Sequence, residues 1–145
     1  MNYATNEFSF RLPAELHDRT LNIFSLTDFG PSDFCMVINR AVAPPSATLE
    51  SQADALIAEL HQKLSQFQLL AREPFELVEI SAIDIRYSHR MKDKLFLQRS
   101  VCFLLPEVTA GANWICFTGT FSDKADIAWQ QSFEEILYSL EIRKN

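Results

Sequence analysis

Between residues 68 and 121 four runs of branched and aromatic residues follow one another with only short breaks, and this most restricts what the chain can fold into. Successive strand side chains point to opposite faces, so apolar residues recurring with period two mark a strand. Short connections in turn oblige neighbouring strands to lie antiparallel. The runs are expected at 68–79, 80–90, 95–105 and 113–121, with M-K-D-K at Met91–Lys94 as a hairpin turn. Three earlier strands are expected at 7–12, 20–26 and 34–41. Pro31, Pro44–Pro45, Pro74 and Pro106 punctuate the remainder.

Two stretches change to helical period. The first opens at Thr48, whose hydroxyl suits a helix cap with Glu50 just inside, and places Leu49, Ala53, Leu56, Ile57, Leu60 and Leu64 on one stripe. The second follows Ser122 and Asp123 as candidate caps and aligns Trp129, Phe133, Ile136, Leu137 and Leu140; Arg143 and Lys144 suit its negative end. The order is then three strands, a helix, four strands and a helix. It predicts a single α+β domain over 1–145: a mostly antiparallel twisted sheet with one long helix packed on it and a C-terminal helix.

Charge and composition narrow the partners. The net charge is −6, and the 13 Lys and Arg are scattered rather than gathered, so neither nucleic acid nor an anionic membrane surface is an expected partner. The opening MNYATNEFSFRLP shows no basic stretch followed by an apolar one. No apolar run approaches the roughly 20 residues that span a bilayer. A cytoplasmic protein that does not itself enter the membrane is expected. Three cysteines, Cys35, Cys102 and Cys116, each in an apolar strand, fit buried reduced thiols.

Alternation also assigns faces. In 80–90, Ser81, Ile83, Ile85, Tyr87 and His89 point one way, and Ala82, Asp84, Arg86, Ser88 and Arg90 the other, toward water. Elsewhere both faces are substantially apolar. Leu21, Ile23 and Ser25 oppose Asn22, Phe24 and Leu26, with the last two facing the core; Phe34, Met36 and Ile38 oppose Cys35, Val37 and Asn39. Leu95, Leu97, Val101 and Phe103 likewise oppose Phe96, Gln98, Ser100 and Cys102. One side therefore suits a core. The other mixes apolar with small uncharged polar residues, as an apolar partner that also offers hydrogen bonds would require. The alternative is that helix 49–64, or a second copy, simply covers this face.

Catalytic patterns are missing. His17, His61 and His89 are tied to no cysteine by any motif, Cys102 and Cys116 do not form a CxxC, and the acid pairs Glu134–Glu135 and Glu76 with Glu79 suit solvated faces. No phosphate-binding glycine loop and no GxSxG occurs. A non-enzyme without metal or cofactor is expected.

The segments NEFSFRLP, DRTLNIFSL, FCMVINRA, the helix ending in LSQF, LQRSVCFLLP and FSDKADIAWQQSFEEIL together resemble the effector-associated-gene (Eag) chaperones of bacterial type VI secretion, in the DcrB-like group with a PsbP-like fold. The resemblance runs over essentially the whole chain. It implies a homodimer that binds and shields the amino-terminal transmembrane helices of a PAAR or Rhs effector and helps it load onto the VgrG spike. It also implies a client-helix groove with an apolar floor at Leu21 and Ile23, polar contacts at Cys35, Asn39 and Ser100, a strand-edge contact at Phe96 and helix contacts at Leu56, Leu60 and Leu64. Gln98 joins these by parity on its strand. Cys35 stands where serine is expected and Leu56 where a polar amide is expected, which puts those two hydrogen bonds in doubt. Outside the resemblance, the same mixed face suits a small apolar ligand or another folded protein.

Overall fold

The computed structural model describes residues 2–4, 7–16, 19–28, 32–109, 112–122 and 127–142. Along them run β1 (Asn2–Ala4), β2 (Ser9–Arg11), β3 (Asn22–Ser25), β4 (Phe34–Ala41), α1 (Leu49–Lys63), β5 (Gln68–Leu77), β6 (Ile80–Met91), β7 (Lys94–Thr109), β8 (Ala112–Phe121) and α2 (Ile127–Tyr138). Six strands build one sheet in the order β3-β4-β8-β7-β6-β5, every pairing antiparallel. This is the expected α+β architecture. From β4 the chain crosses one face as α1 to the far edge, then returns strand by strand until β8 pairs with β4.

Local chemistry explains the joints. Met91 pairs with Lys94, leaving a two-residue turn in which Lys92 and Asp93 have φ of 50° and 64°. A left-handed pair of this kind twists in the sense of the flanking strands and suits a tight hairpin. Thr48 caps α1 by accepting from the Ser51 amide at 3.0 Å, while Ser51 Oγ accepts from the Thr48 amide at 2.9 Å. The expected cap is present with Glu50 in the first turn, and Ser51 is the reciprocal partner in the capping box.

The two helices cover opposite faces. Leu49, Leu56, Ile57, Leu60 and Leu64 pack with buried Ala53 on Ile83, Ile85, Tyr87, Cys102, Trp114 and Cys116. Phe133 and Leu137 of α2 pack on Val101, Phe103, Phe117 and Phe121, extended by Phe34 stacked on Trp129 at 5.4 Å. Phe34, Met36, Val101 and Phe103 thus occupy the core face that alternation assigns them.

Other expectations need correction. Strand 7–12 is only Ser9–Arg11, paired with the unanticipated β1 in a separate two-stranded sheet. Strand 20–26 shortens to Asn22–Ser25, leaving Leu21 just outside. Ala82, Asp84 and Ser88 are buried, not turned to water; Ala82 packs in the core beneath α2, and Asp84 is tied to α2 through Arg99 and Glu134. Phe24 and Leu26, expected in the core, are 51% and 48% exposed, since β3 is the sheet edge and α2 packs farther in. Glu134 is not simply solvated but ion-pairs with Arg99. Ser122 bonds back to Asp33 through both amide and hydroxyl. Leu140 lies beyond α2 yet packs against the core. His17, Pro31, Asp123, Arg143 and Lys144 lie outside the described residues.

Candidate functional site

Strand register brings distant residues into rows across one face. Ile23, Val37, Thr118, Ser100 and Ile85 form one row; Ser25, Cys35, Thr120, Gln98 and Tyr87 form the next. A third holds Asn39, Cys116, Cys102 and Ile83. These rows share the face that α1 covers, but α1 covers only part of it. Ser100, Cys102, Cys116, Ile85 and Tyr87 are buried, whereas Cys35, Val37, Thr118, Thr120 and Gln98 are partly exposed and Asn39 is exposed. At the edge Ile23 is 65% exposed and Leu21, just before β3, is also exposed. The open part is thus a trough floored by β4, β8 and β7, with α1 beside it.

This geometry joins most of the expected groove residues. Ile23, Cys35, Asn39, Gln98 and Ser100 lie on the shared face, Ser100 beneath the surface, with Phe96 two residues from Gln98 and stacked on His89 at 5.5 Å. Leu56, Leu60 and Leu64 are different. They pack against the sheet and keep only partial exposure, so α1 does close half of the mixed face as a core. Thr118 and Thr120 were not anticipated; their signal was the period-two pattern of F-T-G-T-F, whose threonines share the face of Cys116.

The trough is uncharged but not simply apolar. From Ile23 to Ser100, and from Ser25 to Gln98, neither row contains a charged side chain. The Tyr87 hydroxyl lies 3.0 Å from Ser100 Oγ, which lies 2.8 Å from Thr118 Oγ1; beside them Gln98 Nε2 donates to Thr120 Oγ1 at 2.8 Å. Burial pushes the Tyr87 phenol up to about 12, against a hydrogen bond with Ser100, so it stays protonated. Burial also raises the Cys35 thiol. Cys102 is raised well above the usual thiol range by its hydrogen bond with Cys116 and by burial. Thiols held protonated are poor nucleophiles and poor metal ligands, and no group of three or more His, Cys, Asp or Glu converges among the described residues.

Polar chemistry of another kind lies beneath α2. Buried Asp84 accepts from Arg99 Nε at 3.0 Å and from the half-exposed Arg86, while Arg99 Nη2 reaches Glu134 Oε1 at 2.7 Å. Burial works to lower the Arg99 pKa, but the two carboxylates outweigh it and hold it above the ordinary value. On the far flank of α1, two open hollows of about 410 and 490 Å³ adjoin β5, around Arg72 and Pro74 and around Ile57 and Leu69. Neither contains a groove residue.

The sequence profile of the DcrB family matches residues 7–139. The chain belongs to the DcrB family. No curated protein matches it in sequence. In fold, this DcrB-family chain is similar to PA94 of Pseudomonas aeruginosa, a protein of unknown function, with a TM-score of 0.78 and 18% identity over 100% of this chain and 98% of that one. LpqN of Mycobacterium tuberculosis, involved in cell envelope biogenesis, matches at a TM-score of 0.49 and 12% identity, over 86% of this chain and 84% of its own. The PA94 likeness spans essentially all of both chains, so the two share the α+β architecture throughout. No described helix of this DcrB-family chain is long and apolar enough to cross a membrane.

Proposed function

We propose that this chain is an Eag-type chaperone of type VI secretion, acting in the cytoplasm without enzymatic chemistry. It holds the amino-terminal transmembrane helices of a PAAR or Rhs effector until the effector loads onto the VgrG spike. The observation that carries this reading is the open, uncharged trough in which Ile23 and Val37 alternate with Cys35, Thr118, Thr120 and Gln98.

Dimensions support a helix as occupant. Three inter-strand spacings from β3 to β7 give a width of about 14 Å, and eight residues of β4 a length of about 26 Å. A single helix is about 10–12 Å across, and a spanning one about 30 Å long. Each buried large apolar side chain of such a helix contributes about 1.5–3 kcal/mol. A small apolar ligand would instead favour an enclosed cavity, and this face is an open trough.

The sheet edges support pairing of two copies. Along the β5 edge, Arg72, Glu73, Pro74 and Glu76 discourage a further strand, while Leu21–Leu26 at the β3 edge contains no charge or proline. A homodimer joined near β3 would place two troughs side by side for adjacent client helices.

The test is co-expression with the amino-terminal segment of a PAAR or Rhs effector. Its soluble fraction should rise several-fold with the chaperone, and light scattering of the purified complex should report two chaperone copies. An effector segment that stays equally insoluble, or a complex built on one 16.6 kDa chain, would overturn the reading.

A further inference from the structure

The hydrogen bonds beneath the trough have a direction. Tyr87 is buried, its phenol keeps its proton, and Ser100 Oγ is its one hydrogen-bond partner among the described residues. A buried O–H left without an acceptor costs about 1–3 kcal/mol, so Tyr87 donates to Ser100. Ser100 has a single proton, and Thr118 Oγ1 at 2.8 Å is its other neighbour. Ser100 therefore donates onward, and Thr118 accepts. The Thr118 proton is left uncommitted on the partly exposed floor.

A second hydrogen bond ends the same way. Gln98 pairs with Thr120 across the β7–β8 ladder. The Gln98 amide nitrogen faces Thr120 and donates to Oγ1 at 2.8 Å. Thr120 also accepts, and its own proton is likewise free. The two threonines are two residues apart on the same face of β8, so the free protons lie side by side.

We infer that the trough is a polarised floor in which Thr118 and Thr120 act as hydrogen-bond donors, selecting client helices that present acceptors on the buried face. This rests on the trough being the client site. Suitable acceptors are the side-chain oxygens of Ser, Thr, Asn and Gln, or carbonyls freed by a proline in the helix. A purely aliphatic helix leaves both donors unsatisfied. The trough would therefore discriminate against the greasiest segments, the reverse of simple hydrophobic capture.

Lysine-flanked Leu/Ala peptides of transmembrane length test this when they carry O-methylserine at three positions four residues apart, or norvaline at the same positions. The two side chains are nearly isosteric; the ether accepts a hydrogen bond but cannot donate one. By fluorescence anisotropy the O-methylserine peptide should bind at least about fivefold tighter, the value expected of one net hydrogen bond. The Thr118→Val/Thr120→Val variant should lose that advantage, and Thr118→Ser/Thr120→Ser should keep it. Equal or tighter binding of the norvaline peptide to the wild type, or an advantage that survives in the valine variant, overturns the polarised floor while leaving the trough as client site. If the wild type binds neither peptide, the chaperone reading falls and the inference with it.

Discussion

Arg99→Met keeps the aliphatic stem of Arg99 and removes its charged fork, at a point where the structure allows the consequence to be sized. The guanidinium sits 3.0 Å from Asp84 Oδ2 and 2.7 Å from Glu134 Oε1, and 5.7 Å from the ring centres of both Phe75 and Phe133. The side chains of Asp84 and Arg99 are only 2% and 6% exposed. Breaking a buried ion pair by removing one member costs about 3–5 kcal/mol, because the other charge remains without compensation. Arg86 still bonds Asp84, and Glu134 can turn to water, so about 3 kcal/mol is expected. At about 2–4 °C per kcal/mol for a domain near this size, the melting temperature should fall by roughly 6–12 °C. The companion Asp84→Leu/Arg99→Met removes both buried charges and should recover most of the loss. Urea titration of the wild type, both single variants and the double variant measures the coupling directly. A loss below about 1 kcal/mol for Arg99→Met, or a double variant at the sum of the singles, would refute this account of the buried pair.

Four further outcomes follow from burial and register. Ile23→Asp should leave the melting temperature of the free chain nearly unchanged, since Ile23 is 65% exposed, while lowering client co-purification at least about a hundredfold through an unpaired carboxylate under an apolar helix. Phe24→Asp should also fold normally, because Phe24 lies half exposed on an edge strand; a collapse of its melting temperature would show that Phe24 is packed. Gly119→Ala should cost about 1–3 kcal/mol in urea unfolding, as the added Cβ would meet Phe133 Cδ2 at 3.1 Å and the Phe121 ring at 3.2 Å. Burial lowers the His89 pKa, so the unfolded chain takes up that proton first: stability due to neutral His89 should be complete above the unfolded value of about 6.5 and fade as pH falls toward the lower folded value. The difference in urea midpoint between wild type and His89→Gln across pH 5–8 should shrink on the acid side, and a constant difference would contradict the buried imidazole.

Much of the fold was legible because its determinants are local. Period two placed β4 to β8 within a few residues, Thr48 marked the start of α1, and the Met91–Lys94 turn follows from backbone preference over two positions. Parity within a strand also held, so Cys35 with Asn39 and Gln98 with Ser100 do share their faces. Parity alone, however, cannot say what lies above a face. Asp84 alternates like a solvated residue, and only the tertiary structure buries it, tied to α2 through Arg99 and Glu134. Phe24 alternates like a core residue, and only the edge position of β3 leaves it half exposed. The floor of the trough was hidden for a related reason: β8, last in the chain, inserts between β4 and β7 in the sheet, so Thr118 and Thr120 come between Val37 and Ser100 and between Cys35 and Gln98. A strand's own pattern determines which side chains travel together; its neighbours in the sheet and the helix above it, brought in from far along the chain, decide whether that face becomes core, solvent or groove.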